Sequence, residues 1–407
     1  MINLILRDLI FITITLLPLY VVRGSLFSIP TTLLEVFILG TGFIWLLSKV
    51  YKKEQILLKS QILIPTVLLL FCALISVFVA PDVNSGLGIF KAYFIEPVLF
   101  FFVTLDVCRR LKTTKFVLYA LVLSAIWLSF LVVFQVFTGK LVFAPFEFAL
   151  KRATGVYNSA NSLGLYLGPI FSIVLAKLLF DKSKLIEKIV YLICGLLIIL
   201  AIIFSKSQGS MIAIFAVSFF AGVILITKFK LGKFVKWIAI PILVGTLLFL
   251  SSVFIFDLTP KVNDYVYSSG NTIQIRLYVW QGTLDLLFDR PLLGAGLSGF
   301  KPIYFWHYHL PQYDEALQYP HNIFLNFYTE LGLLGLITFS WIFIKLSQIA
   351  LRSGKNLPLS RGIFLALIYI LIHGLVDVPY FKNDLAVEFW VIAAVLIASA
   401  DSKISDG

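Results

Sequence analysis

The residues best suited to chemistry lie in residues 258–335, the long polar interval of an otherwise apolar chain. Arg276 stands beside Leu277 there, and a guanidinium can bind a phosphate through two hydrogen bonds. His321 follows Pro320 at the predicted first turn of a helix, where the helix dipole disfavours a protonated imidazole. A neutral histidine can act as a general base. These residues predict phosphate binding coupled to proton abstraction, with a capping or water-exposed histidine as the alternative.

Two further sets of polar residues lie near the ends of predicted membrane helices. Asn322, Asn326 and Glu330 recur at i, i+4 and i+8, so they are expected to face a cavity or another helix. Polar contacts that only hold helices together are the alternative. His373 and Asp377 are spaced i, i+4 at the outward end of another predicted span, where they could support a site or tie helices together.

A predicted amphipathic helix and a glycine-rich turn connect these groups. Residues 272–289 predict a helix lying on the outer membrane face, because apolar residues recur there at helical spacing: Ile273, Leu277, Trp280, Leu284 and Leu287. Residues 291–300 (PLLGAGLSGF) predict a tight turn whose glycines allow a close backbone approach. The turn follows no strand, so it is not a nucleotide-binding fingerprint.

The composition indicates what must position these residues. The chain has 407 residues, of which 60% are hydrophobic and 13% charged, and its mean hydropathy is +0.99. Soluble domains contain about 25% charged residues. The expected fold class is therefore an all-α, polytopic membrane protein. The cysteines Cys72, Cys108 and Cys194 stand singly in apolar runs, so neither a disulfide nor a metal site is expected.

Segments of about 20 apolar residues predict about twelve transmembrane helices. The expected organisation is one integral membrane domain over residues 1–407, with an extracytoplasmic loop over 258–320, between predicted helices 9 and 10, that contains short amphipathic helices. The predicted spans lie near 6–22, 31–48, 62–80, 92–107, 116–137, 162–180, 186–204, 209–227, 237–256, 322–345, 362–379 and 384–400.

The distribution of basic residues predicts the orientation. Of the 33 lysines and arginines, 22 fall in one alternating set of connections and 11 in the other. The positive-inside rule then makes both termini cytoplasmic and the long loop extracytoplasmic. Ordinary anchoring at helix ends accounts for Arg23, Lys140 and Lys382 on the outer side. Arg152, Lys206 and Arg276 are the outward cations that we assign instead to a site.

Several short motifs in combination resemble the O-antigen ligase and O-antigen polymerase superfamily over about residues 90–330. The downstream motifs are Arg276, Trp280, the run Pro291–Gly296, Pro320-His321-Asn322 and Glu330-Leu-Gly332-x-x-Gly335. The upstream motifs are Arg152-Ala-Thr-Gly with Asn158-Ser-Ala-Asn161, and Ser207-Gln-Gly-Ser210. The last motif departs from the family pattern, which has an arginine where this chain has Gln208.

The resemblance implies a multi-span glycosyltransferase that uses a polyprenyl-diphosphate-linked glycan outside the cytoplasmic membrane, with no cofactor, metal or nucleotide sugar. It implies that His321 is the general base. Arg276, with Arg152 or Lys206 in place of the missing arginine, would bind the diphosphate. The supporting residues would be Gln208, Arg290, Asn322, Asn161, Glu330, His373 and Asp377.

The expected activity is metal-independent, inverting glycosyl transfer to a glycan, lipid or protein acceptor in the inner membrane, without nucleic acid. A ligase moves a finished glycan and a polymerase extends it; both use the same carrier, so the sequence leaves them open. A multi-span transporter or flippase for an anion or lipid-linked sugar is the alternative from another class. Transporters, however, concentrate polar residues near the midplane on broken helices, whereas this chain concentrates them at the predicted outer surface.

Overall fold

The structure is a computed structural model that describes residues 2–26, 29–55, 59–228, 272–310, 317–353 and 358–401. The predicted span 237–256 and the first part of the predicted loop, 258–271, lie outside the described residues. The chain forms two compact units. The first comprises Met1–Ser124, Thr272–Arg352 and Leu375–Gly407, and the second comprises Ala125–Asn271 and Ser353–Gly374.

The first unit contains most of the helices. Its elements are α1 (Ile2–Thr15), a 3-10 turn (Leu17–Val21), β1 (Arg23–Leu26), β2 (Ile29–Thr32), α2 (Leu33–Tyr51), α3 (Leu63–Val79), α4 (Val83–Ile89), a π-helical turn (Phe90–Ile95), α5 (Glu96–Leu111), α11 (Thr272–Asp289), α12 (Phe300–His307), α13 (Ile323–Ser353) and α15 (Asn383–Ala400). Every residue from Asn383 to Ser399 is buried, so α15 is a core helix.

The regular elements in the described part of the second unit are all helices. Helix α6 (Lys115–Thr138) begins in the first unit and continues into the second. The remaining elements are α7 (Pro145–Ala149), α8 (Ala160–Phe180), α9 (Leu185–Ser205), α10 (Gln208–Lys228) and α14 (Pro358–Gly374).

The helices confirm a polytopic, mostly helical membrane protein. Among the described residues, eight helical segments are long and apolar enough to cross a membrane: Leu33–Tyr51, Val83–Leu111, Lys115–Thr138, Ala160–Phe180, Leu185–Ser205, Gln208–Ile226, Ile323–Arg352 and Asn383–Ala400. Leu63–Val79 and Pro358–Gly374 are shorter apolar helices. A total of about twelve spans stays a prediction, because α1 has 14 residues and residues 237–256 are not described.

A short β-hairpin, β1–β2, is a feature that the sequence analysis did not predict. Arg23 pairs with Thr32 across its two antiparallel strands. Thr32 then caps α2, because its Oγ1 accepts a hydrogen bond from the Glu35 amide at 3.2 Å. An N-cap of this kind typically contributes about 1 kcal/mol. The hairpin therefore ends directly in a well-formed helix start.

Helix directions in the first unit agree with the alternation of the predicted spans. Near one end of α15 the Phe94 and Phe381 rings lie 6.1 Å apart, and further along the Phe101 and Trp390 rings lie 5.3 Å apart. From the first ring pair to the second, the residue number rises in both segments, so α5 and α15 run parallel. They are the fourth and twelfth predicted spans, and two even-numbered spans cross the membrane in the same direction. A hydrogen bond between Thr13 and Thr41 at 3.5 Å joins α1 to α2.

The second unit follows the same alternation. The Tyr369 hydroxyl donates to the Gly164 carbonyl at 2.9 Å, while Gly362 packs against Ile173 about two helical turns away. Residue numbers therefore rise along α8 in the direction in which they fall along α14, so the two helices are antiparallel. Which end of these helices faces the cell exterior stays a prediction.

Candidate active site

Three predicted site residues converge on three consecutive residues of the turn after α14. Arg276 donates from Nε to the Val376 carbonyl at 3.0 Å. Asn322 donates from Nδ2 to the Leu375 carbonyl at 3.1 Å. His321 Nδ1 lies 3.3 Å from Asp377 Oδ1. We call Arg276, His321, Asn322 and residues 375–377 the histidine station; all of it belongs to the first unit.

His321 occupies a constrained backbone position. Its φ is +49°, in the left-handed region that a residue with a Cβ adopts at a cost of roughly 1–3 kcal/mol. The neighbouring residues hold it there: Trp280 Nε1 donates to the Pro320 carbonyl at 2.9 Å, and Asn322 is bonded to Leu375. Strain that neighbours maintain in this way is common at functional sites. The side chain is 32% exposed, so it remains open to a substrate.

The helix after His321 begins later than the sequence predicted. Helix α13 starts at Ile323, and Asn322 is its cap, because Asn322 Oδ1 accepts from the amides of Phe324 and Leu325 at 3.0 and 3.1 Å. His321 therefore lies before the helix rather than in its first turn. The prediction failed because an asparagine that bonds its own backbone competes with helical geometry. The imidazole contacts the Asp377 carboxylate, with Nδ1 and Oδ1 3.3 Å apart.

The His321–Asp377 contact fixes the roles of the two ring nitrogens. A carboxylate can only accept a hydrogen bond, so Nδ1 carries the proton in this contact. In a neutral imidazole Nε2 then keeps its lone pair and can accept a proton. Asp377 is itself oriented, because its Oδ1 also accepts from the Val378 amide at 2.9 Å. The arrangement suits a general base positioned by a carboxylate.

The predicted helical span that carries both His373 and Asp377 ends before Asp377 in the structure. Helix α14 ends at Gly374, so these two residues do not share a helical face. His373 is buried in the second unit, with its ring 5.6 Å from that of Tyr369. Asp377 instead lies in the turn and contacts His321. Two short-range signals were missed: Gly374 favours a helix end, and Pro379 disfavours continuation of the helix.

Helix α11 carries Arg276 with a different buried face from the one predicted. Ile275, Val279 and Leu286 are buried, whereas Leu277 and Leu284 from the predicted stripe are 53% and 56% exposed. Leu277 and Leu284 therefore point away from the protein, as the apolar face of an interfacial membrane helix would, whereas Leu287 of the same predicted stripe is buried. Arg276 is half-buried beside this stripe.

The glycine-rich turn packs against backbone, as its glycines predicted. Gly294 has φ +63°, and a Cβ there would meet the Thr329 carbonyl. Gly332 breaks α13 with φ +74°, and the Leu333 amide after the break donates to the Leu292 carbonyl at 3.0 Å. The turn and the break in α13 are therefore two halves of one backbone contact.

Glu330 holds the far side of this turn. It is 1% exposed, and its carboxylate accepts from the amides of Ser298 at 2.6 Å and Phe300 at 3.4 Å. The amide of Phe300 opens α12, so Glu330 caps that helix. Asn326, also fully buried, lies between Glu330 and Asn322 on α13. Glu330 thus supports the loop and does not reach the histidine station by any of these contacts.

A second group of predicted residues comes together in the second unit. Arg152 Nη1 pairs with Glu147 at 2.9 Å, and its Nη2 donates to Asn161 Oδ1 at 3.1 Å. Its Nε points to the Ser205 carbonyl at 3.4 Å, one residue before Lys206. We call Lys151, Arg152, Lys206 and their neighbours Glu147 and Asn161 the arginine station.

Lys206 lies at a left-handed turn between α9 and α10, with φ +51°. Burial lowers the pKa of its ammonium, and the nearby charges of Lys151 and Arg152 lower it further. An anion bound here would relieve that repulsion. Gln208 begins α10 next to this cation group, half-buried and uncharged. The unit therefore offers cationic side chains beside the position where the sequence pattern lacks its arginine.

Arg290 is not brought to either station by its described contacts. It follows α11 at the end opposite Arg276, and a helical rise of about 1.5 Å per residue separates them by about 20 Å along the axis. Its side chain is exposed. Within the described residues, no three His, Cys, Asp or Glu side chains gather into a metal-binding group.

Comparison with known proteins bears on this arrangement. Residues 193–340, which include Arg276, His321 and Glu330, match the family described as O-antigen ligase. A Rickettsia conorii protein provisionally named a polysaccharide ligase is 29% identical over 169 residues, covering 40% of this chain and 41% of that protein. The chain thus spans about two fifths of that relative's length.

The match confirms the family resemblance inferred from the motifs. The O-antigen ligase match excludes the Arg152 motif and the turn that carries Asp377, both of which lie outside residues 193–340. The roles of those residues depend on the contacts described above.

Proposed function

We propose that this protein transfers a glycan from a polyprenyl-diphosphate carrier to an acceptor hydroxyl at the outer face of the cytoplasmic membrane. The single observation that carries the proposal is the histidine station. It joins a half-buried arginine and a carboxylate-oriented histidine through three consecutive residues of one turn. These are the groups that the reaction requires: a cation for the departing diphosphate and a base for the attacking hydroxyl.

The transfer consists of one displacement at the anomeric carbon. The acceptor oxygen forms the new bond to this carbon while the bond to the carrier phosphate breaks. The electron pair leaves with the diphosphate, and the hydroxyl proton passes to His321 Nε2. Attack from the face opposite the leaving group inverts the configuration.

Arg276 would stabilise the negative charge that develops on the leaving diphosphate. Its Nε bond to Val376 fixes the guanidinium relative to Asp377 in the same turn. A preorganised cation costs little rearrangement as the charge develops. A transition state of this kind needs no metal ion or cofactor, which is why none belongs to the proposed reaction.

Of the two candidates for the missing arginine, Lys206 is the better. Arg152 is already paired with Glu147 and bonded to Asn161. Lys206 forms no ion pair within the described part of the chain, and its nearest charges repel it. Lys206 therefore has more to gain from a phosphate. We assign Arg152 and Asn161 to holding the turn that presents Lys206.

The proposal is tested in a strain that lacks this protein, complemented with the wild type or with His321→Ala. The wild type should restore the polysaccharide product and the variant should not, although both are present in the membrane. Shortened chains in the deletion strain identify a polymerase, and accumulated carrier-linked polymer identifies a ligase. An unchanged polysaccharide profile and unchanged carrier-linked intermediates would refute glycan transfer altogether.

A further inference from the structure

The carboxylate of Glu147 lies among the cations of the arginine station. Its Oε2 is 2.9 Å from Arg152 Nη1, and its Oε1 accepts from the Ala160 amide at 3.4 Å. Ala160 is the first residue of α8, so the carboxylate stands at the positive end of that helix. A guanidinium and a helix-start amide are also the groups that bind phosphate. Glu147 therefore occupies a position that suits another anion.

The station carries more positive charge than Glu147 neutralises. The Nε of Arg152 points to the Ser205 carbonyl at 3.4 Å, which brings the guanidinium to the turn that carries Lys206. The charges of Lys151 and Arg152 act on the ammonium of Lys206. Lys151 and Lys206 therefore add positive charge beyond the Arg152–Glu147 pair, and a diphosphate carries more negative charge than one carboxylate.

The ion pair between Arg152 and Glu147 is close but poorly aligned. Although Glu147 Oε2 lies 2.9 Å from Nη1, this oxygen accepts no hydrogen bond from the described part of the chain. The other two nitrogens of the guanidinium are held independently, Nε by the Ser205 carbonyl and Nη2 by Asn161 Oδ1 at 3.1 Å. A phosphate oxygen could therefore replace Glu147 at Nη1 while the guanidinium keeps its place.

Building on the glycan-transfer function, we propose that Glu147 is an internal competitor of the donor: its carboxylate occupies the arginine station until a phosphate of the carrier diphosphate displaces it. Displacement needs only a rotation of the side chain, because the Glu147 carbonyl stays bonded to the Arg152 amide at 3.0 Å. The carboxylate returns after transfer and promotes release of the carrier diphosphate. Glu147 thereby prevents the product from remaining bound.

Diphosphate binding to the purified full-length protein tests this competition. The probe is inorganic pyrophosphate, and its Kd is measured by isothermal titration calorimetry. We expect Glu147→Gln to lower the Kd about three- to tenfold, since the substitution removes one mostly buried ion pair that binding must break. The glutamine oxygen can still accept from the Ala160 amide. Lys206→Met should raise the Kd, and Glu187→Gln should leave it unchanged.

Glu187 is the matched control, because it is an exposed carboxylate at the other end of α9 from Lys206. A second measurement uses the wild type and does not depend on how the variants fold. A carbodiimide and an amine label accessible carboxylates, and mass spectrometry of the peptide containing Glu147 gives its labelling rate. Glu147 is only 15% exposed, so pyrophosphate should raise this rate by displacing the carboxylate into water. The rate at Glu187 should not change.

An unchanged or raised Kd in Glu147→Gln overturns the proposal, as does a Glu147 labelling rate that pyrophosphate leaves unchanged or lowers. Pyrophosphate binding that does not depend on Lys206, or no binding by any variant, overturns it as well, because the station would then not be a diphosphate site. Neither measurement requires glycan transfer. A wild-type protein that binds pyrophosphate as expected but has no transferase activity would refute the proposed function alone.

Discussion

Replacing Asp377 with asparagine should lower the turnover of glycan transfer by about 10- to 50-fold. A hydrogen bond to a charged group is worth about 1.5–3 kcal/mol, and each 1.36 kcal/mol is a factor of ten in rate. The His321–Asp377 contact at 3.3 Å is longer than an ordinary hydrogen bond, so the lower half of this range applies. The asparagine oxygen can still accept from the Val378 amide, so the turn should survive.

Removal of His321 itself should cost more, about 10²–10⁴-fold, because the base is then lost entirely. The combination of both substitutions distinguishes the roles. If Asp377 acts through His321, adding Asp377→Asn to His321→Ala should change the rate by less than about threefold, because residues that act as a unit are not additive. The assay is single-turnover transfer from a purified carrier-linked glycan, with donor binding measured separately.

Donor binding should survive both substitutions, since the diphosphate is held by cations and the lipid by the membrane. The reasoning would be refuted if Asp377→Asn lowered the rate by the same factor in the presence and absence of His321. It would also be refuted if His321→Ala turned over normally. In the second case the base must be sought elsewhere and the histidine station would be only structural.

Three other predictions follow from the same structure. Arg276→Lys should keep part of the activity and Arg276→Gln should lose about 10- to 100-fold, because the lost charge-assisted bond is worth about 1.5–3 kcal/mol; equal activity would exclude a charge role. Activity should be unaffected by EDTA, since side chains supply the positive charge, and restoration by a divalent ion after inhibition would contradict this. Of two cysteines substituted for Lys301 and Lys112, only the one at position 301 should be labelled from outside the cell. The three native cysteines are buried and should give no background. Labelling only at position 112 would contradict the predicted topology.

The sequence predicted the helices well because hydrophobic length and charge alternation are local signals. Helices α8, α9 and α10 begin and end within two residues of the predicted spans. The errors of the sequence-based prediction lie at the helix ends. Asn322 caps α13 and so excludes His321 from it, and α14 stops at Gly374 before Asp377. The first end depends on a side-chain bond and the second on Gly374 and Pro379, and hydropathy detects neither.

The site was predictable in its residue types and less so in its pairings. The sequence singled out His321, Arg276 and Asp377, but it did not predict the contact between His321 and Asp377. The observed contact links residues 56 positions apart, and no periodicity reports a contact of that range. The sequence analysis did not predict that the turn at residues 375–377 binds Arg276, His321 and Asn322. Two of the three contacts are made by its backbone carbonyls, and every residue has a carbonyl, so the sequence carries no signal for them.

The glycine-rich turn explains how the strained His321 is kept in place. Helix α13 begins beside the histidine station and is broken at Gly332, where the turn bonds to it. Glu330, two residues before the break, caps α12 on the other side of the turn. The first part of α13 is therefore fixed at both ends: by Asn322 at the station and by the turn at the break. We infer that the Glu330 and Gly332 motifs act by fixing this short helical segment, and that its rigidity maintains the unfavourable backbone of His321 against Asp377.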